Sequence, residues 1–203
     1  MPNDVYLAMN YELILKNICK HVHLEEEEIN LLLSLIKWKN ILKKNMLLKA
    51  GEACKYINYV HSGSFRAFYL DKDGKEATVM FAVADWWVTD MYCYLNGKPA
   101  MMYIEALEDS CILQLSKANF EKLLFAAPKF ERFFRILMQN AYTREQLRII
   151  ESLSLGAEER YYNFLCKYPL IAETIKQKHI ASYLGITPEH LSALKRIEKL
   201  KIS

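Results

Sequence analysis

Residues 177–197 read QKHIASYLGITPEHLSALKRI, and this stretch decides what kind of chain the sequence encodes. Its apolar residues recur at helical spacing on both sides of Gly185, which predicts two short helices. Glycine readily adopts the positive φ that a sharp turn between helices requires. After the turn, Thr187 offers an N-cap hydroxyl, Pro188 suits the first helical position, and Glu189 adds a favourable negative charge. The pattern therefore predicts a helix-turn-helix and a DNA-binding protein.

The charge of this end of the chain supports that interpretation. Residues 176–203 hold six Lys or Arg against two Glu, a net charge of +4. The whole chain carries only +3, so residues 1–175 sum to −1. A basic helical segment on a nearly neutral body is the pattern expected of a surface that binds phosphates. The alternative, two ordinary C-terminal helices, explains the apolar spacing but not the charge.

Composition excludes several other classes of protein. With 203 residues and 52% hydrophobic content, the chain can bury a core in one large or two small domains. Its five cysteines are scattered without a C-x-x-C pair, so we expect reduced, buried thiols, no disulfide framework, and no zinc or iron–sulfur site. His21 and His23 are interpreted as a solvated loop pair. No signal peptide or membrane span is evident, which predicts a cytoplasmic protein without a membrane partner.

The rest of the chain predicts an α+β fold. Residues 4–36 show helical periodicity, and from about residue 41 to 115 short β-branched and aromatic runs alternate with turn signals, which indicates an antiparallel β-roll. The predicted strands are 56–60, 65–70, 77–83, 101–107 and 110–115. Predicted helices follow at 117–125, 128–153, 158–168 and 170–175. We predict a β-roll effector-type domain over residues 1–154, with flanking helices and a long helix, and an all-α DNA-binding domain over residues 155–203.

The long helix carries more apolar residues than one packing face needs. Phe130, Phe134, Leu137 and Ala141 recur mostly at three- and four-residue steps, and further apolar residues widen the stripe. One face can pack on the roll while a second meets an identical helix, so we predict a homodimer. The alternative is a core helix that packs on one side only.

The order of a β-roll, a long helix and a C-terminal helix-turn-helix resembles the Crp/Fnr family of dimeric bacterial transcription regulators over essentially the whole chain. The segments KFERFFRIL (129–137), LGAEERY (155–161) and IASYLGITPE (180–189) look like the branch common in Bacteroidetes, the last being the most specific. The segment YVHSGS (59–64) looks like the family's cyclic-nucleotide-binding roll.

The resemblance also allows a check of the ligand pocket. In cyclic-AMP-binding members, a Gly-Glu-Leu turn gives an amide to the phosphate and a carboxylate to the ribose, and an Arg further along the chain pairs with the phosphate. The matching turn here is Thr89-Asp90-Met91, and Ala100 stands at the Arg position. Asp is shorter than Glu, Thr lacks the freedom of Gly, and Ala cannot pair with a phosphate, although Lys98 offers a less specific charge nearby. We therefore expect no tight binding of cyclic AMP.

The candidate effector pocket comprises Trp87, Thr89, Asp90, Met91, Ala100 and Met101. Its aromatic and methionine content fits either simple core packing or a hydrophobic pocket for an unidentified small-molecule effector. No other cofactor is expected.

For the DNA-reading helix, the resemblance places the residues at positions 188, 189 and 193 against base edges. Ala193 cannot donate to guanine but can touch a thymine methyl, and Glu189 can accept from cytosine. Other candidates near the bases are Thr187, His190 and Ser192. Those expected at phosphates are Lys195, Arg196 and Lys199, with Lys178, His179 and Ser182 on the first helix. Little room remains for a β-hairpin wing.

The resemblance thus implies double-stranded DNA as a partner and leaves RNA polymerase open as another. An enzyme is the main alternative of a different class, but we find no nucleophile elbow, Gly-rich phosphate loop or H-E-x-x-H pair. A sensor or partner-binding module of the same fold that has lost sequence-specific DNA binding is the second alternative, and Ala193 favours it.

Overall fold

The computed structural model describes residues 11–202, with side chains for residues 11–196. The predicted helical residues 4–10 lie outside the described part. The helices are α1 Glu12–Cys19, α2 Glu26–Leu35, α3 Met91–Asn96, α4 Lys117–Ala126, α5 Lys129–Ser154, α6 Ala157–Lys167, α7 Pro169–Thr174, α8 Gln177–Leu184 and α9 Pro188–Ile202. The strands are β1 Ile36–Ile41, β2 Met46–Leu48, β3 Tyr56–Ser62, β4 Ser64–Leu70, β5 Glu76–Val83, β6 Trp87–Val88, β7 Tyr103–Ala106 and β8 Ser110–Ser116.

The described strands form two four-stranded antiparallel sheets, in the orders β1-β8-β3-β6 and β2-β7-β4-β5. Apolar side chains from both sheets fill the space between them, among them Val60, Phe65, Ile104 and Ile112. This arrangement confirms the predicted α+β fold with an antiparallel roll. Strand β1 was not predicted, because its first residue, Ile36, continues the apolar periodicity of α2.

The outer face of the first sheet is covered by helices. Strand β3 directs Ile57 and Tyr59 outward, where α1, α2, α4 and the first turns of α5 pack on them. Phe130 and Phe134 of α5 are buried in this cluster, inside their own chain. The assignment of these two side chains to a dimer seam therefore needs correction, since neither is available to a partner.

A third apolar cluster lies within the last four helices. It comprises buried residues of α6 to α9 and the Tyr168 that links α6 to α7, together with one buried residue of the roll, Phe81 of β5. The β2-β7-β4-β5 sheet therefore packs its outer face on the helix-turn-helix segment.

The turn between β3 and β4 depends on a glycine. Gly63 has φ of +84°, a left-handed conformation that side chains disfavour. A Cβ built on Gly63 would lie only 2.8 Å from the Ser110 Cα, whereas Gly74, at φ of +78°, has nothing within 4 Å of its Cβ position. Only Gly63 is thus required for close packing as well as for conformation.

We predict that Gly63→Ala destabilises the protein more than Gly74→Ala. Both changes place a side chain at positive φ, which costs about 1–2 kcal/mol. At position 63 the clash with the Ser110 backbone should add roughly 1–3 kcal/mol. Urea unfolding of the two variants measures the difference. Equal losses would show that the β3–β4 turn has room for a methyl group.

Candidate nucleic-acid interface and effector pocket

The helix-turn-helix has the geometry that its sequence predicts. Helix α8 ends at Leu184, and the next residue, Gly185, caps it with a left-handed φ of +67°. The amide of Ile186 donates to the Ala181 carbonyl at 3.0 Å and closes the turn. Helix α9 then begins at Pro188, with the Thr187 hydroxyl accepting from the His190 amide at 3.2 Å. Of the apolar residues predicted to join the two helices, five are buried, Ile180, Ala181, Leu184, Leu191 and Leu194, and the sixth, Ile186, is half-buried.

The start of α9 presents most of the predicted base-reading residues to solvent. Glu189, His190 and Ser192 are exposed, as are Thr187 and Pro188. The pKa of Glu189 lies below its usual range, because its own backbone amide and then the Thr187 hydroxyl donate to the carboxylate. The carboxylate is therefore ionised and held near the helix N-terminus.

The remaining candidates on α9 differ in accessibility. Ala193 and Lys195 are half-buried, and Arg196 is exposed. The Ser192 hydroxyl donates to the Pro188 carbonyl at 2.9 Å, so it is satisfied within the helix. The side chain of Lys199 lies outside the described residues.

Helix α8 lies against the roll. Of the three residues predicted to meet phosphates there, only Lys178 is exposed, while His179 is only 6% exposed. The Ser182 hydroxyl accepts from the Thr78 amide at 2.9 Å and donates to the Glu76 carbonyl at 2.8 Å. In this arrangement Ser182 binds β5 and His179 binds Arg66 of β4, so neither is available to a phosphate. Sequence reasoning missed this contact, because it joins residues about a hundred positions apart.

The contact between α8 and the roll is centred on Arg66, whose side chain is 1% exposed. The guanidinium donates to Glu76 at 2.6 Å and to Glu105 at 2.8 Å, and its Nη1 lies 2.5 Å from the His179 Nδ1. The guanidinium also lies 3.9 Å from the centre of the Phe68 ring. A lone Arg within the apolar strand Ser64–Leu70 was the one signal in the sequence for this buried charge.

The protonation of His179 fits this arrangement. Burial, followed by the charge of Arg66, lowers the pKa of His179 to about 4. The ring is therefore neutral at pH 7 and its Nδ1 accepts a hydrogen bond from Arg66. Because the ring is neutral, its 3.8 Å approach to Glu76 is not an ion pair.

Aromatic packing also joins strand β5 of the roll to the last helices of the chain. The Phe81 ring lies 5.9, 5.7 and 5.5 Å from the rings of Phe164, Tyr168 and Tyr183, respectively. From α5, Arg148 donates to the Tyr183 carbonyl at 3.4 Å, to the Thr78 carbonyl at 3.1 Å and to the Val79 carbonyl. Sheet, long helix and helix-turn-helix therefore meet along β5.

A cavity of about 460 Å³ lies between the roll and α5. Five of the six predicted pocket residues line it, namely Trp87, Thr89, Asp90, Met91 and Met101. Ala100 does not line the cavity, since it is buried in the roll interior. Leu137 and Ala141 of α5 line the cavity from the other side, so these two predicted dimer residues face their own roll.

Thr89 and Asp90, the two polar residues predicted for this cavity, already have partners within the chain. Asp90 is 1% exposed, and one carboxylate oxygen accepts from the amides of Met101 at 2.8 Å and Met102 at 3.2 Å. Its other oxygen accepts from the Cys93 amide at 3.3 Å and caps α3. The Thr89 hydroxyl donates to the Tyr56 carbonyl at 2.8 Å. The rest of the lining combines aromatic, methionine and aliphatic side chains with four polar ones, Asp85, Asn140, Arg144 and Glu145.

The cysteine side chains differ in their exposure. Cys19 and Cys166 are exposed, so the expectation that all thiols are buried needs correction, although Cys93 is buried and no cysteine forms a disulfide.

Over the described residues, no three His, Cys, Asp or Glu come together as a metal site requires. Nor does any helix within residues 11–202 have the length and apolar character to cross a membrane.

Comparisons with known proteins agree with this architecture. The family model described as "Cyclic nucleotide-binding domain" matches residues 38–127. The "Anaerobic regulatory protein" of Pasteurella multocida is 26% identical over 207 residues, covering 93% of this chain and 73% of that relative.

Solved structures show the same fold. FixK2 from Bradyrhizobium japonicum aligns with a TM-score of 0.73 at 17% identity, over 82% of this chain and 85% of that one. A protein from Eubacterium rectale described as a transcriptional regulator of the Crp/Fnr family aligns with a TM-score of 0.70 at 17% identity, over 88% and 85%.

The fold and these matches define a regulator that joins a cyclic-nucleotide-binding-type roll to a helix-turn-helix. Over most of its length the chain is similar to transcription regulators of the Crp/Fnr family. Its relatives are regulators rather than enzymes.

Proposed function

We propose that this chain regulates transcription as a homodimer, reads double-stranded DNA through α9, and does not respond to cyclic AMP. The observation that carries the proposal is the exposed, capped start of α9 on a basic segment. Such a regulator acts in the cytoplasm, with RNA polymerase as a further partner.

Exposure and charge divide the α9 residues into two roles. Glu189 and His190 stand in the first turn, where recognition helices reach base edges. Lys195 and Arg196 follow two turns later and suit the phosphate backbone, whose contacts position the protein without selecting sequence. A two-fold dimer would then read half-sites about one helical turn, 34–36 Å, apart.

Dimerisation is proposed through the second half of α5. Tyr142, Ile149, Ile150 and Leu153 are each at least half exposed, Leu153 by 83%. Positions 142, 149 and 153 are spaced by seven and four residues, so they share one face of the helix. Exposed apolar side chains on one helix face, here interrupted by Gln146, are the kind of surface that a second copy covers. The seam thus lies further along α5 than Phe130 and Phe134.

Cyclic AMP is not expected as effector because neither of the two matched positions, Asp90 and Ala100, offers it a free polar group. The Asp90 carboxylate is fully buried and bound to backbone amides, so it cannot accept from a ribose hydroxyl. Ala100 supplies no guanidinium for the phosphate and does not face the cavity. A buried anion without a partner is strongly disfavoured.

We predict that Lys195→Ala and Glu189→Ala weaken DNA binding differently. Loss of Lys195 should lower affinity about equally for all sequences and reduce the salt slope by roughly one unit. Loss of Glu189 should relax preference at one base pair and cost about 1–3 kcal/mol on the preferred site. Mobility shifts on sites selected from random DNA measure both effects.

Lys122→Ala, which removes an exposed lysine of α4, is the matched control and should leave both quantities unchanged. If selection enriches no sequence, and the double variant of Lys195 and Arg196 binds as well as wild type at low salt, the partner-binding module replaces the DNA reader.

We predict that Leu153→Glu separates the dimer. The substitution places two carboxylates in an apolar seam, so the dissociation constant should rise roughly a hundredfold or more. Leu170→Glu, on α7 and 75% exposed, is the control and should leave the dimer intact. Sedimentation velocity measures the change. A wild-type chain that is monomeric at micromolar concentration would contradict the proposed seam.

We predict that calorimetry detects no saturable binding of cyclic AMP below about 1 mM, because the charge-assisted bonds to ribose and phosphate are missing. Unchanged DNA affinity in the presence of cyclic AMP is the functional counterpart. A dissociation constant on the order of micromolar would refute the pocket argument.

A further inference from the structure

Methionine side chains are concentrated at one place in the structure. Of the six methionines within the described residues, five line the cavity of about 460 Å³ between the roll and α5, namely Met80, Met91, Met101, Met102 and Met138. The sixth, Met46, lies on β2. Methionine side chains are flexible and polarisable, so they adapt to apolar ligands of different shapes. The wall of this cavity is therefore adaptable.

The same cavity is also rich in aromatic rings. Two of the three tryptophans, Trp86 and Trp87, line it. The Trp87 Nε1 donates to the Asn17 Oδ1 at 3.1 Å, so Trp87 has only its ring to offer a ligand. Sites for small molecules commonly have this size and a largely apolar, aromatic lining. Size and lining together suit a molecule that carries an aromatic ring.

The two aspartates of the cavity wall offer no free charge. Asp85 accepts from the Tyr59 hydroxyl at 2.7 Å and from the Lys20 ammonium at 2.8 Å. Asp90 accepts from backbone amides with both of its oxygens, as described above. A cationic ligand would have to displace one of these partners.

The other two charged residues of the wall lie side by side on α5. Glu145 lies 3.8 Å from Arg144 and 3.7 Å from Arg148. The Arg144 guanidinium also lies 4.6 Å from the centre of the Trp86 ring. An anionic ligand would therefore have to compete with Glu145 for Arg144. Because a charge without a partner is costly to bury, the cavity favours a neutral molecule.

A second cavity, of about 220 Å³, adjoins the first. Its apolar lining comes mainly from α3, α4 and α5, with Leu95, Phe120, Leu124 and Phe134. Ile57, Met91 and Met138 line both cavities and so lie between them. Two of these three are methionines, whose long unbranched side chains can change rotamer without movement of the backbone. The smaller cavity therefore extends the larger one once these two side chains turn aside.

We propose that the two cavities together bind one neutral, elongated molecule. Its aromatic ring lies in the larger cavity with Trp86 and Trp87, and its alkyl chain passes Met91 and Met138 into the smaller cavity. Length and apolar character, rather than charge, select this ligand. The inference goes beyond the proposed DNA-binding function, and its test requires no DNA.

The first test varies the length and the charge of a probe. Calorimetry measures how the full chain binds the methyl, butyl and heptyl esters of para-hydroxybenzoate, which join a neutral ring to an alkyl chain. Each methylene that enters an apolar cavity should tighten binding roughly threefold, so the heptyl ester should bind at least roughly a hundredfold more tightly than the methyl ester. The para-heptyloxybenzoate anion, which has a similar length, should bind at least roughly tenfold more weakly than the heptyl ester.

The second test fills the smaller cavity. Leu124→Trp places a large ring there from α4, so it should weaken binding of the heptyl ester at least roughly tenfold and leave the methyl ester unchanged. Retained binding of the methyl ester also shows that the variant is folded. Phe125→Trp is the matched control, because Phe125 is the next residue of α4, is 92% exposed and lines neither cavity.

A third measurement locates the ring of the probe. Binding of the heptyl ester should change the tryptophan fluorescence of wild type and of Trp38→Phe, since Trp38 lies on β1 and lines neither cavity. The change should be largely lost when Trp86 and Trp87 are both replaced by Phe.

The outcomes separate this inference from the proposed function. The absence of saturable binding of every ester overturns the inference. So does an anion that binds as tightly as the heptyl ester, or a heptyl ester that Leu124→Trp and Phe125→Trp bind equally well. A chain that binds DNA but no ester leaves the proposed function standing, whereas a chain that binds the esters as expected but no DNA overturns the proposed function alone.

Discussion

The buried guanidinium of Arg66 sets the relation between the two halves of the chain. A cation removed from water is tolerated only when anions and hydrogen-bond acceptors surround it. Glu76 and Glu105 come from the roll, and the neutral His179 ring comes from α8. The roll alone leaves one side of the guanidinium to solvent, and α8 closes that side. The electrostatics of this one strand residue therefore act together with the aromatic packing of Phe81 in orienting the helix-turn-helix.

Features that depend on a few neighbouring residues could be predicted from the sequence. Gly185, Thr187 and Pro188 determine the turn and the start of α9 through backbone conformation and one cap hydrogen bond, and the structure has both. Short runs of β-branched and aromatic residues between turn signals likewise predicted the strands of the roll. The start of β1 at Ile36 could not be located, since pairing with β8, far along the chain, ends the helix there.

Features that depend on distant contacts could not be predicted. An apolar stripe shows that a helix face is covered but not by what, so Phe130 and Phe134 of α5 could not be distinguished from a dimer seam until the roll was in place. Lys178, His179 and Ser182 were grouped because they share the first helix of a basic motif. Only the packing of α8 on the roll separates the exposed Lys178 from the buried His179 and the half-buried Ser182. The single arginine in β4 was visible in the sequence, but nothing local indicates which distant groups surround it.

The hydrogen bonds of Asp90 have a consequence for how this roll can serve as a sensor. The Met101 and Met102 amides converge on one oxygen, an arrangement that suits an anion. In this chain the anion is part of the polypeptide, so its effective concentration is fixed by the covalent structure and does not vary with any metabolite. A free anion would have to displace the Asp90 carboxylate, which is covalently part of the roll. The position beside the Met101 and Met102 amides is thus always filled, and any chemical signal that the roll reads must act elsewhere in the cavity.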